Sequence, residues 1–375
     1  MNVVHIVPAP FGPDGVVGGA ERYAFELARQ MADRVPTTLV TFGEARHERY
    51  AGALRVRTIG NPWFVRGQRT NPFSLDVFRE VREADVVHCH QHHVLVSSAV
   101  AAWSRLTGRR VFVSNLGGGG WDVSAYVSTD TWFHGHLHLS EYSRRIHGHA
   151  TLARAKVIGG GVDIRKFSPD PSVRRDGGPL FVGRLLPHKG IADLVRGLPD
   201  GMPLTIVGPV PDPATRDRLV DLSRGKTVRF LHGLGDEALV HEYRRAMCIV
   251  LPSVYRTDEG HETVVPELLG QTLLEGMACG APAICTDVAS MPEIVEDGVT
   301  GFVVPPNDPA SIGERLSWLR AHPGDAASMG EAGRCRVLAT FTWAQTVDCC
   351  LQAYSDALSP RQARSRVAVA GSARG

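Results

Sequence analysis

Apolar runs of three to five residues, each followed by a stretch of helical period, recur along the whole chain and leave few architectures open. Val3–Val7, Thr38–Phe42, Val86–His88, Val111–Val113 and Val157–Ile158 read as strands in the first half. Leu180–Val182, Leu204–Val207, Val228–Leu231, Ile249–Leu251 and Ala283–Cys285 read the same way in the second. Strands separated by helical crossovers pair in parallel, with helices covering the faces of the sheet. A chain of 375 residues is long for a single core, so the pattern predicts an α/β protein with two such sheets.

Local signals refine this division. Ala20, Tyr23, Ala24, Leu27, Ala28 and Met31 recur at helical spacing, so the glycine-rich turn Gly12–Gly19 opens a helix and is expected to face a phosphate. The turn lacks the Gly-x-Gly-x-x-Gly order and has no acid at ribose distance, which counts against a dinucleotide dehydrogenase. Ser168–Pro179, rich in Pro, Asp, Arg and Gly, reads as a linker. A helix near Trp343–Leu358 closes the pattern, and Pro360–Gly375, with four arginines and small residues, is expected to be disordered. The expected domains are therefore 1–167, a linker 168–179, 180–342, a terminal helix 343–358 and a tail 359–375.

A net charge of +2 argues against a nucleic-acid partner. Seven cysteines without a Cys-x-x-Cys pair read as reduced and buried, in a cytoplasmic protein. The N-terminus runs straight into the Val3–Val7 pattern with no basic-then-apolar leader, and no run approaches 18 apolar residues. Arginine greatly outnumbers the four lysines, which suggests a GC-rich bacterial genome.

Chemistry concentrates in the second half. Glu267 and Glu275, with seven residues between them, flank the point where a loop becomes a helix. Gly270 lets backbone amides approach an anion, and the following helix directs its unpaired N–H groups the same way. Were the segment helical throughout, the carboxylates would lie roughly 12 Å apart, enough to reach both ends of a nucleotide diphosphate-sugar. Upstream, Phe181–Gly190 carries a strand into a glycine turn with Arg184 and Lys189 five residues apart. A planar fork and a mobile ammonium suit a diphosphate and can neutralise a leaving group without a metal. Taken alone, these residues also fit a surface helix with two solvated acids and a solvated strand-end pair of cations.

Further landmarks are Gly18–Tyr23, Asp85–His90, Leu139–Ser143, Gly161–Pro169, Glu275–Pro282 and Pro292–Gly301. In number and order they resemble family 4 of the retaining, nucleotide-sugar-dependent glycosyltransferases, over nearly the whole chain. The resemblance implies the GT-B fold: two Rossmann-like parallel-sheet domains facing across a cleft, the first for the acceptor and the second for the donor, with the last helix crossing back. It implies that Glu267 contacts the donor sugar and Glu275 the ribose, and that Arg184 and Lys189 hold the diphosphate. Amides of Leu268, Leu269, Gly270 and Gln271 would assist, with Gly19 also on the donor side. Retention would proceed by front-face attack, with no protein nucleophile, no cofactor and no metal. The default donor is a UDP-sugar, and a hydroxylated, lipid-linked acceptor would bring peripheral membrane contact. The oligomeric state is unknown.

This chain departs from the resembled pattern in two places. The usual Glu-Gly-Phe-Gly loop is replaced by Glu267 followed by Leu268 and Leu269, and Val254–Val265 before it is longer. Many members carry a histidine after the strand here formed by Val111–Val113, whereas this chain has Asn115, then Gly117–Gly120, Trp121 and Asp122. Asn115 and Asp122 are candidates for a sugar or acceptor contact, against a structural turn. Histidines crowd at positions 88, 90, 92 and 93 and at 134, 136 and 138, the last three alternating as on one strand face. Zinc is one reading, but second-ligand spacing is missing, so no metal is expected and His90 is the acceptor-side candidate. Ser140, Glu141 and Tyr142 fit helix capping. Rival readings are a nucleotide-sugar epimerase or a phosphorylase on the same scaffold, and a catalytically weak nucleotide-sugar-binding protein, which Asn115 keeps open.

Overall fold

The computed structural model describes residues 1–10, 18–117 and 120–359. The turn before Gly18, the two central glycines of the 117–120 run and the arginine-bearing tail lie outside these residues. The chain divides into two compact units, and the division falls between Gly161 and Val162, ahead of the expected position at 167. Residues 168–179 belong to the second unit rather than standing apart, and residues 140–143 are also part of it.

The first unit is built on β1 (Val3–Pro10), α1 (Gly19–Ala32), β2 (Thr37–Gly43), β3 (His47–Ala51), β4 (Leu54–Gly60), β5 (Trp63–Phe64), β6 (Pro72–Phe73), α2 (Val77–Glu80), β7 (Val86–Cys89), α3 (Leu95–Thr107), β8 (Arg110–Val113) and β9 (Gly135–His138). After α4 (Glu141–Ile146), β10 (Ala155–Val157) completes its sheet. The strand order is β10-β9-β8-β7-β1-β2-β4-β3, parallel throughout except that β3 runs antiparallel to β4. Helix α1 forms because Tyr23, Ala24, Leu27, Ala28 and Met31 make one buried stripe, as their spacing predicts. One core cluster joins Ile6, Val40, Val87, Val111 and Val113 to Val96 and Val100 of α3.

The second unit contains β11 (Pro179–Val182), α5 (Ile191–Gly197), β12 (Leu204–Val207), α6 (Pro213–Leu222), β13 (Val228–Leu231), α7 (Asp236–Arg245), β14 (Cys248–Leu251), α8 (Gln271–Ala278), β15 (Ala283–Thr286), α9 (Met291–Ile294), β16 (Gly301–Val304), α10 (Pro309–Ala321) and α11 (Pro323–Thr340). Its sheet is wholly parallel in the order β13-β12-β11-β14-β15-β16. The last helix, α12 (Trp343–Leu358), belongs to the first unit, where Trp343 packs on Tyr23 of α1 and the Tyr354 hydroxyl meets His88 Nδ1 at 2.7 Å.

Both sheets are doubly wound, so each reverses its strand order at one point: between β1 and β7 in the first, and between β11 and β14 in the second. Ligands of such sheets bind outside the carboxyl ends of the strands at this reversal. The seven cysteines are free; Cys335 and Cys349 are exposed on their helices, which corrects the expectation that all are buried. Among the described residues no helix is long and apolar enough to cross a membrane.

Candidate active site

At the reversal point of the second sheet, β11 runs into Gly183, Arg184 and a single 3-10 turn, Pro187–Lys189, which ends at Gly190. Gly190 adopts φ +66°, and a Cβ there would stand 1.8 Å from the Pro252 carbonyl oxygen. Only glycine lets this loop lie against the end of β14, and the Val254 amide then donates to the His188 carbonyl at 2.8 Å. The two loops that border the reversal point are thereby tied together.

Lys189 Nζ lies 2.6 Å from Glu267 Oε2, with both side chains about 15% exposed or less. This joins two of the expected catalytic residues across 78 positions of sequence. Arg184 is exposed on the same loop and has no ion-pair partner among the described residues, so its fork of donors is available to an anion. Between them, burial first and then the Lys189 and Arg184 charges, opposed by Glu267, hold the His188 imidazole down at about 4, so it is neutral near pH 7.

The segment after Glu267 is a loop up to Gly270, which takes φ +75° and caps α8 without a side-chain hydrogen bond. The distance of 12 Å that a continuous helix would give therefore does not apply, because the helix begins at Gln271. Backbone N–H groups of the first turn of α8 point out from an uncapped, electropositive end. Leu269 is buried and anchors the loop, while the Leu268 carbonyl accepts from Ser140 Oγ at 2.9 Å. Ser140 also accepts from the Ser143 amide at 3.0 Å, so the capping role expected of it is present, together with a contact that sequence reasoning missed. Glu293 is a second missed residue: its carboxylate accepts from the Glu141 and Tyr142 amides at 2.8 and 2.6 Å.

Glu275 sits inside α8 and is only 4% exposed, with Tyr243 donating its hydroxyl to Oε2 at 2.7 Å. One oxygen of the expected ribose contact is thus held by the protein. The longer stretch before Glu267 folds as a small hairpin in which the backbones of Arg256 and Glu262 pair antiparallel and the Thr263 amide donates to the Tyr255 carbonyl at 2.7 Å. Asp258 and Glu259 at its tip pair with Arg196 of α5 and Arg218 of α6.

The first sheet presents different groups at its reversal point. Gly19 opens α1 with no side-chain cap before it, and a Cβ on Gly19 would meet nothing within 4 Å. His5 of β1 stands in register with His88 of β7, and His5 Nδ1 shares a 2.7 Å hydrogen bond with His90 Nε2. His88 Nε2 meets Ser114 Oγ at 2.8 Å. His90 is 2% exposed, and its Nδ1 has no hydrogen-bond partner among the described residues. Burial lowers the pKa of His5 to about 3, and burial and then neighbouring imidazoles push His88 and His90 well below the usual histidine range.

Two expected contacts have structural duties instead. Asp122 is 1% exposed: Oδ1 accepts from the Ser124 amide at 2.9 Å and from Ser124 Oγ, and Oδ2 accepts from Ser98 Oγ. It caps the short turn Val123–Ala125 and docks it on α3, which corrects its reading as a sugar contact. Asn115 donates from Nδ2 to His147 Nε2 at 2.7 Å and accepts from the Gly117 amide at 3.3 Å, so both ends of its amide brace the turn.

Comparison with known proteins agrees with this architecture. Sucrose-phosphate synthase from Thermosynechococcus elongatus superposes with a TM-score of 0.74 over 95% of this chain and 99% of that one, at 21% identity. A fold of two Rossmann-like domains of this kind is the GT-B fold. The model for glycosyl transferases group 1 matches residues 176–336, and that for glycosyltransferase family 4 matches residues 17–166. The GDP-mannose-dependent alpha-(1-6)-phosphatidylinositol monomannoside mannosyltransferase of Mycolicibacterium smegmatis is 31% identical over 87% of this chain and 84% of its own length. A GDP-mannose-dependent monoacylated alpha-(1-6)-phosphatidylinositol monomannoside mannosyltransferase of Corynebacterium glutamicum is 29% identical over 78% of this chain and 75% of its own. The chain belongs to glycosyltransferase family 4 and is a glycosyltransferase.

Proposed function

We propose that this protein transfers a hexose, with retention of configuration, from a GDP-hexose to a hydroxyl of an inositol-bearing acceptor, and that mannose is the sugar. The observation that carries the reading is an exposed Arg184, without an ion-pair partner among the described residues, on the same loop as Lys189 of the Lys189–Glu267 pair, at the reversal point of the second sheet and with the start of α8 close after Glu267. Such a site has two cations and a helix end for a diphosphate, and one carboxylate for a sugar hydroxyl. Lys189 has three N–H donors, so it can keep Glu267 and still donate to a phosphate oxygen. Arg184 and the α8 amides take up the charge that develops as the sugar–phosphate bond breaks. A departing phosphate oxygen accepts the acceptor's proton on the same face, so retention needs no protein nucleophile and no metal at the diphosphate.

The sequence alone favoured UDP. Two relatives matched over three quarters or more of their own length are named as GDP-mannose-dependent, and this moves the reading to GDP. Their names also supply the inositol-bearing acceptor. Glu275, braced by Tyr243, is the ribose contact, and His90 the acceptor-side contact.

Incubation with GDP-mannose and UDP-glucose, each with a phosphatidylinositol monomannoside acceptor, tests the reading, and NMR of the product gives its anomeric configuration. Transfer from GDP-mannose with an α-linked product, unchanged by added Mg²⁺, is expected. An inverted product, or turnover of UDP-glucose alone, would contradict it. A nucleotide-binding protein without turnover would bind GDP and release no sugar.

A further inference from the structure

A second histidine cluster in the first unit takes no part in the chemistry above. His92 follows β7, Asp130 opens the short turn before β9, His136 lies in β9, and His149 lies in the loop before β10. Three connections and one strand of the sheet thus bring three imidazoles around one carboxylate. His92, Asp130 and His136 each offer a ligand atom within 4.8 Å of the other two. His149 Nε2 is 3.5 Å and His92 Nε2 is 3.9 Å from Asp130 Oδ1.

We propose that His92, Asp130 and His136, with His149 as fourth ligand, form a binding site for a divalent transition ion, zinc foremost. Metal–ligand bonds of about 2.0–2.1 Å in a tetrahedron set ligand atoms about 3.3 Å apart, and the separations of His149 and His92 from Asp130 already approach that edge. The set of three imidazoles and one carboxylate suits a borderline ion and not magnesium or calcium, which take oxygen ligands.

Outer contacts favour the same reading. Ser128 Oγ donates to Asp130 Oδ2 at 3.2 Å and so leaves Oδ1 towards the imidazoles. His138 Nε2 shares a 3.0 Å hydrogen bond with His149 Nδ1, on the far side of that ring from the nitrogen that faces Asp130. Partners of this kind orient metal ligands and fix their tautomers. A cavity of about 360 Å³, lined by His93, Ser124, Tyr126, Ser128, Thr129 and Asp130, gives an ion a way in.

The other histidine group differs in this respect. Both nitrogens of His5 and of His88 already have partners: His90 and Met31 Sδ for the first, Ser114 and Tyr354 for the second. In that group only His90 Nδ1 is left without a partner among the described residues, whereas His92 Nε2, which also meets Thr129 Oγ1 at 3.1 Å, and His149 Nε2 both face Asp130 Oδ1, and His136 Nε2 meets the Asp130 carbonyl at 3.1 Å.

The test uses the tag-free full chain, stripped with a chelator, reloaded with Zn²⁺ and dialysed, with the metal content measured by mass spectrometry. Co²⁺ loading is followed by its visible spectrum. One zinc per chain and the d–d bands of a tetrahedral site with nitrogen and oxygen ligands are expected. Asp130→Asn and His92→Gln should each weaken Zn²⁺ binding at least about tenfold, while His232→Ala, at an exposed histidine of the second unit, should not. Circular dichroism identifies any variant that fails to fold, and the remaining variant then decides. Zinc content well below stoichiometric, or equal retention in a folded Asp130→Asn or His92→Gln variant, would overturn the proposal.

Discussion

The reversal points of the two sheets share a topology and differ in chemistry. The first is lined by imidazoles that burial keeps neutral, and the second by a guanidinium, an ammonium and a carboxylate. A doubly wound sheet fixes where a ligand binds, and the side chains at the strand ends decide what binds there. Neutral donors and acceptors suit hydroxyls and impose little charge. Fixed charges beside an uncapped helix suit a diphosphate, whose charge grows as it leaves.

The comparison breaks most sharply if Lys189 is dispensable. Lys189→Ala removes a phosphate donor and leaves Glu267 half-buried without its partner, so donor turnover should fall about 10²–10³-fold, as measured by initial rates of sugar release. An effect below tenfold would place the charged site elsewhere. Next in size is a contrast between two glycines. Gly190→Ala forces a Cβ towards the Pro252 carbonyl at a positive φ and should cost roughly 2–4 kcal/mol in denaturant unfolding. Gly19→Ala meets open space and should leave stability within about 0.5 kcal/mol. Equal effects at the two glycines would mean that the β11–β14 contact is not built as described.

Tyr243→Phe leaves a buried Glu275 oxygen without its donor and should cost about 1–3 kcal/mol, with a matching loss of nucleotide affinity if Glu275 holds the ribose. A further effect is one of pH. His5 has a pKa of about 3 when folded against 6.5 when unfolded, and His88 is lowered in the same sense. The unfolded chain therefore takes up protons first as pH falls. Stability is full above 6.5 and declines below it, by about 1.4 kcal/mol per pH unit for each histidine. Hydrogen exchange between pH 7 and 5 should show the first unit losing protection before the second; simultaneous loss would contradict the contrast between neutral and charged sites.

Much of the scaffold was legible because burial imposes period. Leu204–Val207, Val228–Leu231 and Trp343–Leu358 coincide with their elements, since short runs rich in apolar and β-branched residues and a helical stripe admit few other conformations. β4 was missed because Leu54 and Val56 alternate with Arg55 and Arg57 near a sheet edge, and β16 because Gly301–Val304 is short and follows a turn. At the site, Arg184, Lys189, Glu267 and the Gly270 junction could be read from loop chemistry next to strands. The duties of Asp122, Asn115 and Glu275 could not, because their partners Ser98, His147 and Tyr243 are 24, 32 and 32 residues away. Asp130 and His149 carry no local signal at all, and only the sheet order brings them to His92 and His136.

Calorimetric titration of the purified protein with GDP, UDP, ADP and dTDP, beside Lys189→Ala, tests the central claim most directly. The account predicts that GDP binds at least about tenfold more tightly than the other three, and that Lys189→Ala weakens it by a further tenfold or more. Binding of no nucleotide, or GDP affinity untouched by Lys189→Ala, would contradict a diphosphate site at the reversal point of the second sheet.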